Sequence, residues 1–211
     1  MCWVEMREII LPSHSNDTLG PFVLDASAII NLLGTGIAGR LLSCLQVPVL
    51  AEQTALREVT RHPIPKLSHA AELAALESAG LLRSMAMDEQ AKEIFRELIA
   101  NDLSEGLDDG EAATIAYAIT HSAATIPVVD ERKATRIFKQ KWAGRIAIGT
   151  LSLISDERIL MMLAQEEMRE AVYSALIHAR MRVPEETRQW AIELIGTERA
   201  ASCPSIGAGR K

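Results

Sequence analysis

Two short apolar runs, Phe22–Leu24 and Ile126–Val129, each end in an aspartate, Asp25 and Asp130, and each leads straight into a helical pattern. Runs this short, the first bounded by Gly20-Pro21, read as strands buried on both faces, as in a parallel sheet. Further apolar runs at Val47–Leu50, Leu81–Met87 and Ile146–Ile148 alternate with helical segments Ile37–Leu45, Ala51–Arg61, His69–Ala79, Glu89–Ala100, Gly110–His121 and Glu131–Trp142. Strands alternating with helices imply a central parallel sheet covered on both faces, a three-layer α/β/α sandwich. Such folds place ligands at the carboxyl ends of their strands, where Asp25 and Asp130 stand. Either aspartate taken alone is explained as a helix cap. Chemistry requires that further carboxylates arrive at the same edge.

Beyond Gly149 the pattern turns wholly helical, through Leu151–Ser155, Glu157–Gln165, Glu166–Met181 and Glu185–Ile195. The expected organisation is a lead-in over 1–20, an α/β core over 21–155, C-terminal helices over 156–195 and a disordered tail over 196–211. Met168, Val172, Ala175, Leu176 and Ala179 form one apolar stripe, and Trp190, Ile192, Leu194 and Ile195 another. A helical pair this apolar needs either its own core or a second copy to cover it, and a homodimer is expected.

Composition excludes several classes. A hydrophobic content of 48% is incompatible with wholesale disorder, and 4% aromatics disfavours reading single strands by stacking. A net charge of −6 argues against broad coating of nucleic acid or membrane, though not against a local basic patch. The three cysteines, Cys2, Cys44 and Cys203, are scattered without a CxxC, indicating neither a disulfide framework nor a zinc site. No apolar run reaches the ~18 residues of a spanning helix. Glu5 and Glu8 stand where a signal peptide would be basic, so a cytoplasmic protein with no membrane partner is expected.

Four acids repeat one local arrangement or lie near it. Asp25 and Asp130 end strands, Glu111 lies in the first turn of the helix after LDDGE, which Asp109 is expected to cap, and Glu58 lies within the helix after the second strand. Capping and the helix macrodipole account for Asp25, Asp109, Glu111 and Asp130 one at a time, and an ordinary solvated face accounts for Glu58. If the four converge, their repulsion must be offset by a cation, and hard oxygen donors select Mg2+ or Mn2+ over zinc. Such a site favours metal-assisted attack of water on a phosphodiester. The segment after Asp130 adds Arg132, Lys133, Arg136, Lys139, Lys141 and Arg145 against the single acid Glu131, the one concentrated basic stretch in the chain. It reads equally as a phosphate-binding face and as a solvated helix surface, tilting to the former because it begins at a proposed ligand.

Competing motifs fail on context. Gly34-Thr35-Gly36-Ile37-Ala38-Gly39 satisfies GxGxxG, with Glu52 as a candidate ribose acid, yet it follows a helical pattern rather than a strand. A helix end and a linker explain these glycines. Ser27 lacks a nucleophile elbow, and His14, His62, His69, His121 and His178 show no ligand spacing.

FVLDASAII, the Glu58-Val59 pair, LDDGEAATIAYA and VVDERKATRIF resemble the successive acidic motifs of PIN-domain nucleases, closest to the branch of VapC-type toxins with LDxGE and DERKA motifs; AIGTLSLI is similar to that branch's Gly-Thr-Leu helix start. The resemblance implies a PIN-like fold and a Mg2+- or Mn2+-dependent ribonuclease that leaves a 5′-phosphate and a 3′-hydroxyl. It implies Asp25, Glu58, Glu111 and Asp130 as catalytic acids, with Asp25, Glu111 and Asp130 on the metal. Asp108, Asp109 and Glu131 are alternates for their neighbours, and Arg132, Lys133, Arg136 and Lys139 are the RNA-binding residues. RNA, an antitoxin protein and a second copy are the implied partners. A PIN-like module that binds RNA or protein without cleaving is the alternative.

Overall fold

The computed structural model describes residues 20–61, 69–100 and 107–207. The expected lead-in, apart from Gly20, lies outside them. Two compact units emerge among the described residues: a sheet unit of 20–30 and 46–150, and a helical unit of 31–45 and 151–207.

The sheet unit carries four parallel strands, β1 Phe22–Leu24, β2 Val49–Glu52, β3 Arg83–Met85 and β4 Ile126–Val128, in the order β3-β2-β1-β4. The fold is the expected α/β/α class with a parallel sheet. The chain steps from β1 to β2 to β3 in one direction and then returns to lay β4 on the other side of β1. The order therefore reverses between β1 and β4. Ligands of parallel sheets bind at such a switch point, outside the carboxyl ends of the strands. Pairing of Leu24 with Val128 brings those two strand ends level.

The first helix, α1 (Ala26–Gly34), follows β1 directly, and α2 (Ala38–Leu45) follows after a turn at Gly36, whose φ of 74° favours glycine. The GxGxxG glycines thus end one helix and open the next, as read above. In the sheet unit, α3 (Gln53–Arg61) is opened by the buried Glu52, whose carboxylate accepts from the Thr54 amide at 2.5 Å. Glu52 is a cap, not a ribose ligand. α4 (His69–Ser78) and α5 (Glu89–Ala100) follow, the latter capped by Asp88 as expected.

Helix α6 (Asp109–His121) is buried continuously from Gly110 to Ala118 and packs against β1, β2 and β4. Its alanines make that approach possible, because a helix can lie close to a sheet only where its side chains are short. Ile115 and Ala116 join Leu98, Val129 and Phe138 in one cluster, while Tyr117 and Ala118 join Val23 and Leu50 in another. α7 (Arg132–Lys141) contributes Ala134 and Phe138 to the first cluster.

Ile146–Ile148, expected as a last strand, pairs at one residue only, through a parallel bridge between Val128 and Ile148. Ile146 is exposed and the Trp142–Arg145 turn precedes it, so no second pair forms.

The helical unit holds the second half of α1, α2, and the helices α8 (Thr150–Ile154, from Leu151), α9 (Glu157–Met162), α10 (Gln165–Ser174), α11 (Glu185–Ile195), α12 (Thr197–Ser202) and α13 (Pro204–Gly207). The expected continuous helix through Met181 instead widens after α10 into a π turn, Ala175–Ala179, and ends at Arg180 with φ 54°. A Cβ on Gly34 would lie 2.7 Å from the Ala179 Cβ, so glycine lets this turn come close.

The tail is not disordered from 196 onward. Gly196, at φ 86°, separates α11 from α12, and Ala200, Cys203 and Ile206 are buried through α12 and α13. Residues 208–211 lie outside the described residues. Met168, Val172, Ala175, Leu176, Trp190, Leu194 and Ile195 are all buried within the single chain. A second copy is therefore not required to cover these residues. Among the described residues no single helix is long and apolar enough to cross a membrane.

Candidate active site

Asp25 follows β1 without a spacer, and its amide donates to the Val128 carbonyl at 3.1 Å, which ties it to the neighbouring strand. Its carboxylate accepts from the Ala28 amide at 2.6 Å and from the Ser27 hydroxyl at 2.9 and 3.0 Å. Asp25 does cap α1, but this accounts for only part of its surroundings. Asp130, two residues beyond β4, accepts from the Thr150 amide at 2.7 Å and from the Thr150 hydroxyl.

Glu111 sits in the buried first turn of α6. Its amide donates to Asp108 at 2.8 Å, so the cap of that helix is Asp108 and not Asp109. Asp109 is exposed. Glu131 occupies the N-cap position of α7 without capping it; its carboxylate lies instead beside those of Asp108 and Glu111. Asp108, Glu111 and Glu131 offer oxygens that all lie within 4.8 Å of one another.

Glu58, half-buried on α3, reaches the same helix from the side. A Cβ on Gly110 would fall on the Glu58 carboxylate, so the glycine of LDDGE is the surface against which that acid rests. The motif's glycine has a steric reason that its spacing alone does not reveal.

Only 2% of Asp25, 5% of Glu111 and 8% of Asp130 is exposed. Burial pushes the Asp25 carboxyl well above its ordinary value, and the charge of Asp130 pushes it further, while the Ala28 and Ser27 bonds pull it down; Asp108 adds a smaller upward push. Glu111 is pushed up to about 9, first by burial, then by Asp108, by the neighbouring Glu131 carboxylate and by Asp25. Every charged group raising Asp25 and Glu111 is another carboxylate. The two sets of acids therefore belong to one electrostatic cluster, with Asp25 feeling Asp108 and Glu111 feeling Asp25.

This donor set fits a divalent cation. All the donors are hard carboxylate oxygens, and raised carboxyl pKa values mark a site that favours added positive charge, which a metal supplies in place of a proton.

A family model described as DUF3368, PIN domain, matches residues 21–197. The chain belongs to the PIN-domain family. No curated protein and no solved structure matches it. Membership brings a nuclease type of function and a divalent-metal requirement as the general expectation, and the acidic cluster of this PIN domain agrees with both.

On α7, Arg132, Arg136 and Lys139 are exposed and Lys133 is half-buried. Arg145, read above with this stretch, has another task. Its guanidinium donates to the carbonyls of Ala118, Ser122 and Thr125 at 3.0, 2.9 and 3.2 Å, closing the carboxyl end of α6. A cation there complements the helix dipole. Reading the sequence for acids missed Thr150 and Gly110, although both stand inside quoted segments. The available signal for Thr150 was a second apolar run, Ile146–Ile148, followed at the same offset by a side chain able to bond Asp130.

Proposed function

We propose that this PIN domain is a metal-dependent endoribonuclease, the toxin of a toxin–antitoxin pair of VapC type. What supports the metal-dependent part of this reading is the group of Asp108, Glu111 and Glu131, whose carboxylate oxygens lie within 4.8 Å of one another, with Asp25 and Asp130 at the ends of their strands close enough for their charges to act on each other and on this group. Asp25, Glu111 and Asp130 would hold Mg2+ or Mn2+, directly or through water. The cation, when bound, would supply activation of water and neutralisation of charge on the phosphoryl oxygens. Glu58, resting on Gly110, orients the attacking water. Asp108 and Glu131 complete the negative field that draws the cation in. Arg132, Lys133, Arg136 and Lys139 hold RNA phosphates along α7, which begins one residue after Glu131.

The test is incubation of purified protein with mixed RNA at graded Mg2+ and Mn2+, with EDTA and Asp25→Asn as controls. Metal-dependent internal cleavage leaving 5′-phosphate ends is expected, and both controls should abolish it. Metal-independent cleavage, or cleavage unchanged by Asp25→Asn, overturns the assignment. RNA binding without cleavage at any metal concentration would make the domain a binding module.

A further inference from the structure

The two buried aspartates at the switch point are held alike, but by donors of different origin. Asp25 takes its hydroxyl and amide from Ser27 and Ala28, the residues that follow it in its own helix. Asp130 takes both from one residue twenty positions away, Thr150. The register explains how. Val128 bridges Ile148, with the Val129 amide donating to the Ile148 carbonyl at 2.9 Å and the Ile148 amide to the Pro127 carbonyl at 3.1 Å. Asp130 and Thr150 each stand two residues past that bridge and so arrive at the sheet edge together. Thr150 is completely buried, and its amide and hydroxyl engage different oxygens of the carboxylate. Two donors on two oxygens fix the rotation of the carboxylate plane, which a single bond would leave free.

We propose that Thr150 is a positioning residue for Asp130, holding its carboxylate in the orientation that takes up the divalent cation. The inference rests on the metal-dependent reading of the site. It gives the one-residue bridge at Ile148 a purpose: the bridge delivers a hydroxyl rather than extending the sheet. The competing account is that Asp130 merely caps α8 by accepting the Thr150 amide. That account needs the amide and is indifferent to the hydroxyl. The hydroxyl therefore separates the two.

Thr150→Val keeps the shape and the amide and removes the hydroxyl; Thr150→Ser restores it. Mn2+ affinity of the full chain is read by electron paramagnetic resonance, beside the Mn2+-induced rise in melting temperature and RNA cleavage. Groups that orient metal ligands are worth roughly 10–100-fold in metal affinity or activity. Thr150→Val is expected to weaken Mn2+ binding by about tenfold or more, and Thr150→Ser to stay within about threefold of wild type. In an Asp130→Asn background Thr150→Val should add no further loss, because the residue acts through Asp130. If Thr150→Val fails to fold, Thr150→Ala removes the same hydroxyl without placing a methyl beside the carboxylate. A folded hydroxyl-free variant with wild-type Mn2+ affinity overturns the proposal, as does a serine variant as weak as the valine one. Wild-type protein that binds no Mn2+ overturns the metal reading itself, and the role of Thr150 falls with it.

Discussion

Asp25 and Asp130 are steadied by hydroxyl and amide donors, whereas Glu111, Glu131 and Asp108 bring carboxylate oxygens within 4.8 Å of one another. In the first pair the donors fix each carboxyl in place and, at Asp25, oppose part of the upward push of burial and Asp130. In the second group Asp108 and Glu131 both push Glu111 toward its protonated form. One half of the cluster is thus built to stay in place, and the other is built to respond.

The largest effect should come from breaking the steadied pair. Asp25→Asn and Asp130→Asn are expected to lower RNA cleavage by at least about 100-fold, more than the loss of an orienting group costs. The same Asp25→Asn change should leave the metal-free protein no less stable than wild type. Asparagine caps a helix about as well as aspartate, and it removes a charge that burial and Asp130 both oppose. A matched pair of melting curves, with EDTA and with Mn2+, reads both consequences; a large metal-free destabilisation would reduce Asp25 to a structural cap.

Gly110→Ala probes the contact between α6 and Glu58. The added methyl falls on the end of a flexible side chain, so the carboxylate swings aside while the fold remains. Cleavage should drop roughly 10–100-fold with a near-unchanged melting temperature, since an alanine within a helix stabilises it by up to about 1 kcal/mol over glycine. Retained activity would remove Glu58 from the mechanism.

The responsive half should show itself in pH dependence. Glu111 has a folded-state pKa of about 9 against an ordinary value of 4.5, and Asp25 is raised as well. Between those two values the folded protein binds more protons than the unfolded one, so stability falls as pH rises. In EDTA, the urea midpoint should therefore decline from pH 5 through pH 9, and saturating Mg2+ should flatten the decline. Glu111→Gln should lessen it without metal, leaving the part due to Asp25. A profile that rises over this range would contradict the charge arrangement described here.

The smallest effect is expected at Asp109. It is exposed and does not cap α6, so Asp109→Asn should leave cleavage and stability within about 0.5 kcal/mol of wild type. Asp108→Asn should retain the cap but relieve Glu111, moving its titration downward. Nuclear magnetic resonance of a Glu-labelled sample would resolve the two substitutions. An inactive Asp109→Asn beside an unaltered Asp108→Asn would reverse their places.

Much of the frame was legible from residue order. Apolar triplets between turns have few alternatives to buried strands, and Asp88 opening an amphipathic helix is a local signal that needs no tertiary partner. The ends of β1 and β4, and with them the positions of Asp25 and Asp130, followed from that pattern. The reading failed where a residue's fate depended on contacts distant in sequence. Asp108 and Asp109 are chemically identical neighbours, and where the helix begins decides that Asp108 is the cap. Glu131 stands where a cap should be, yet its carboxylate lies beside those of Asp108 and Glu111. Arg145 belongs by composition to a basic surface, yet the carbonyls of α6 engage it.

The sequence by itself determined the parallel α/β pattern and the aspartates at its strand ends, because hydrophobic periodicity and capping act over a few residues. Only the tertiary structure decided which acids meet, that Glu58 rests on Gly110, and that Thr150 bonds Asp130. Those pairings are set by strand register and helix approach, which sum many distant contacts and leave no mark at the residues they join.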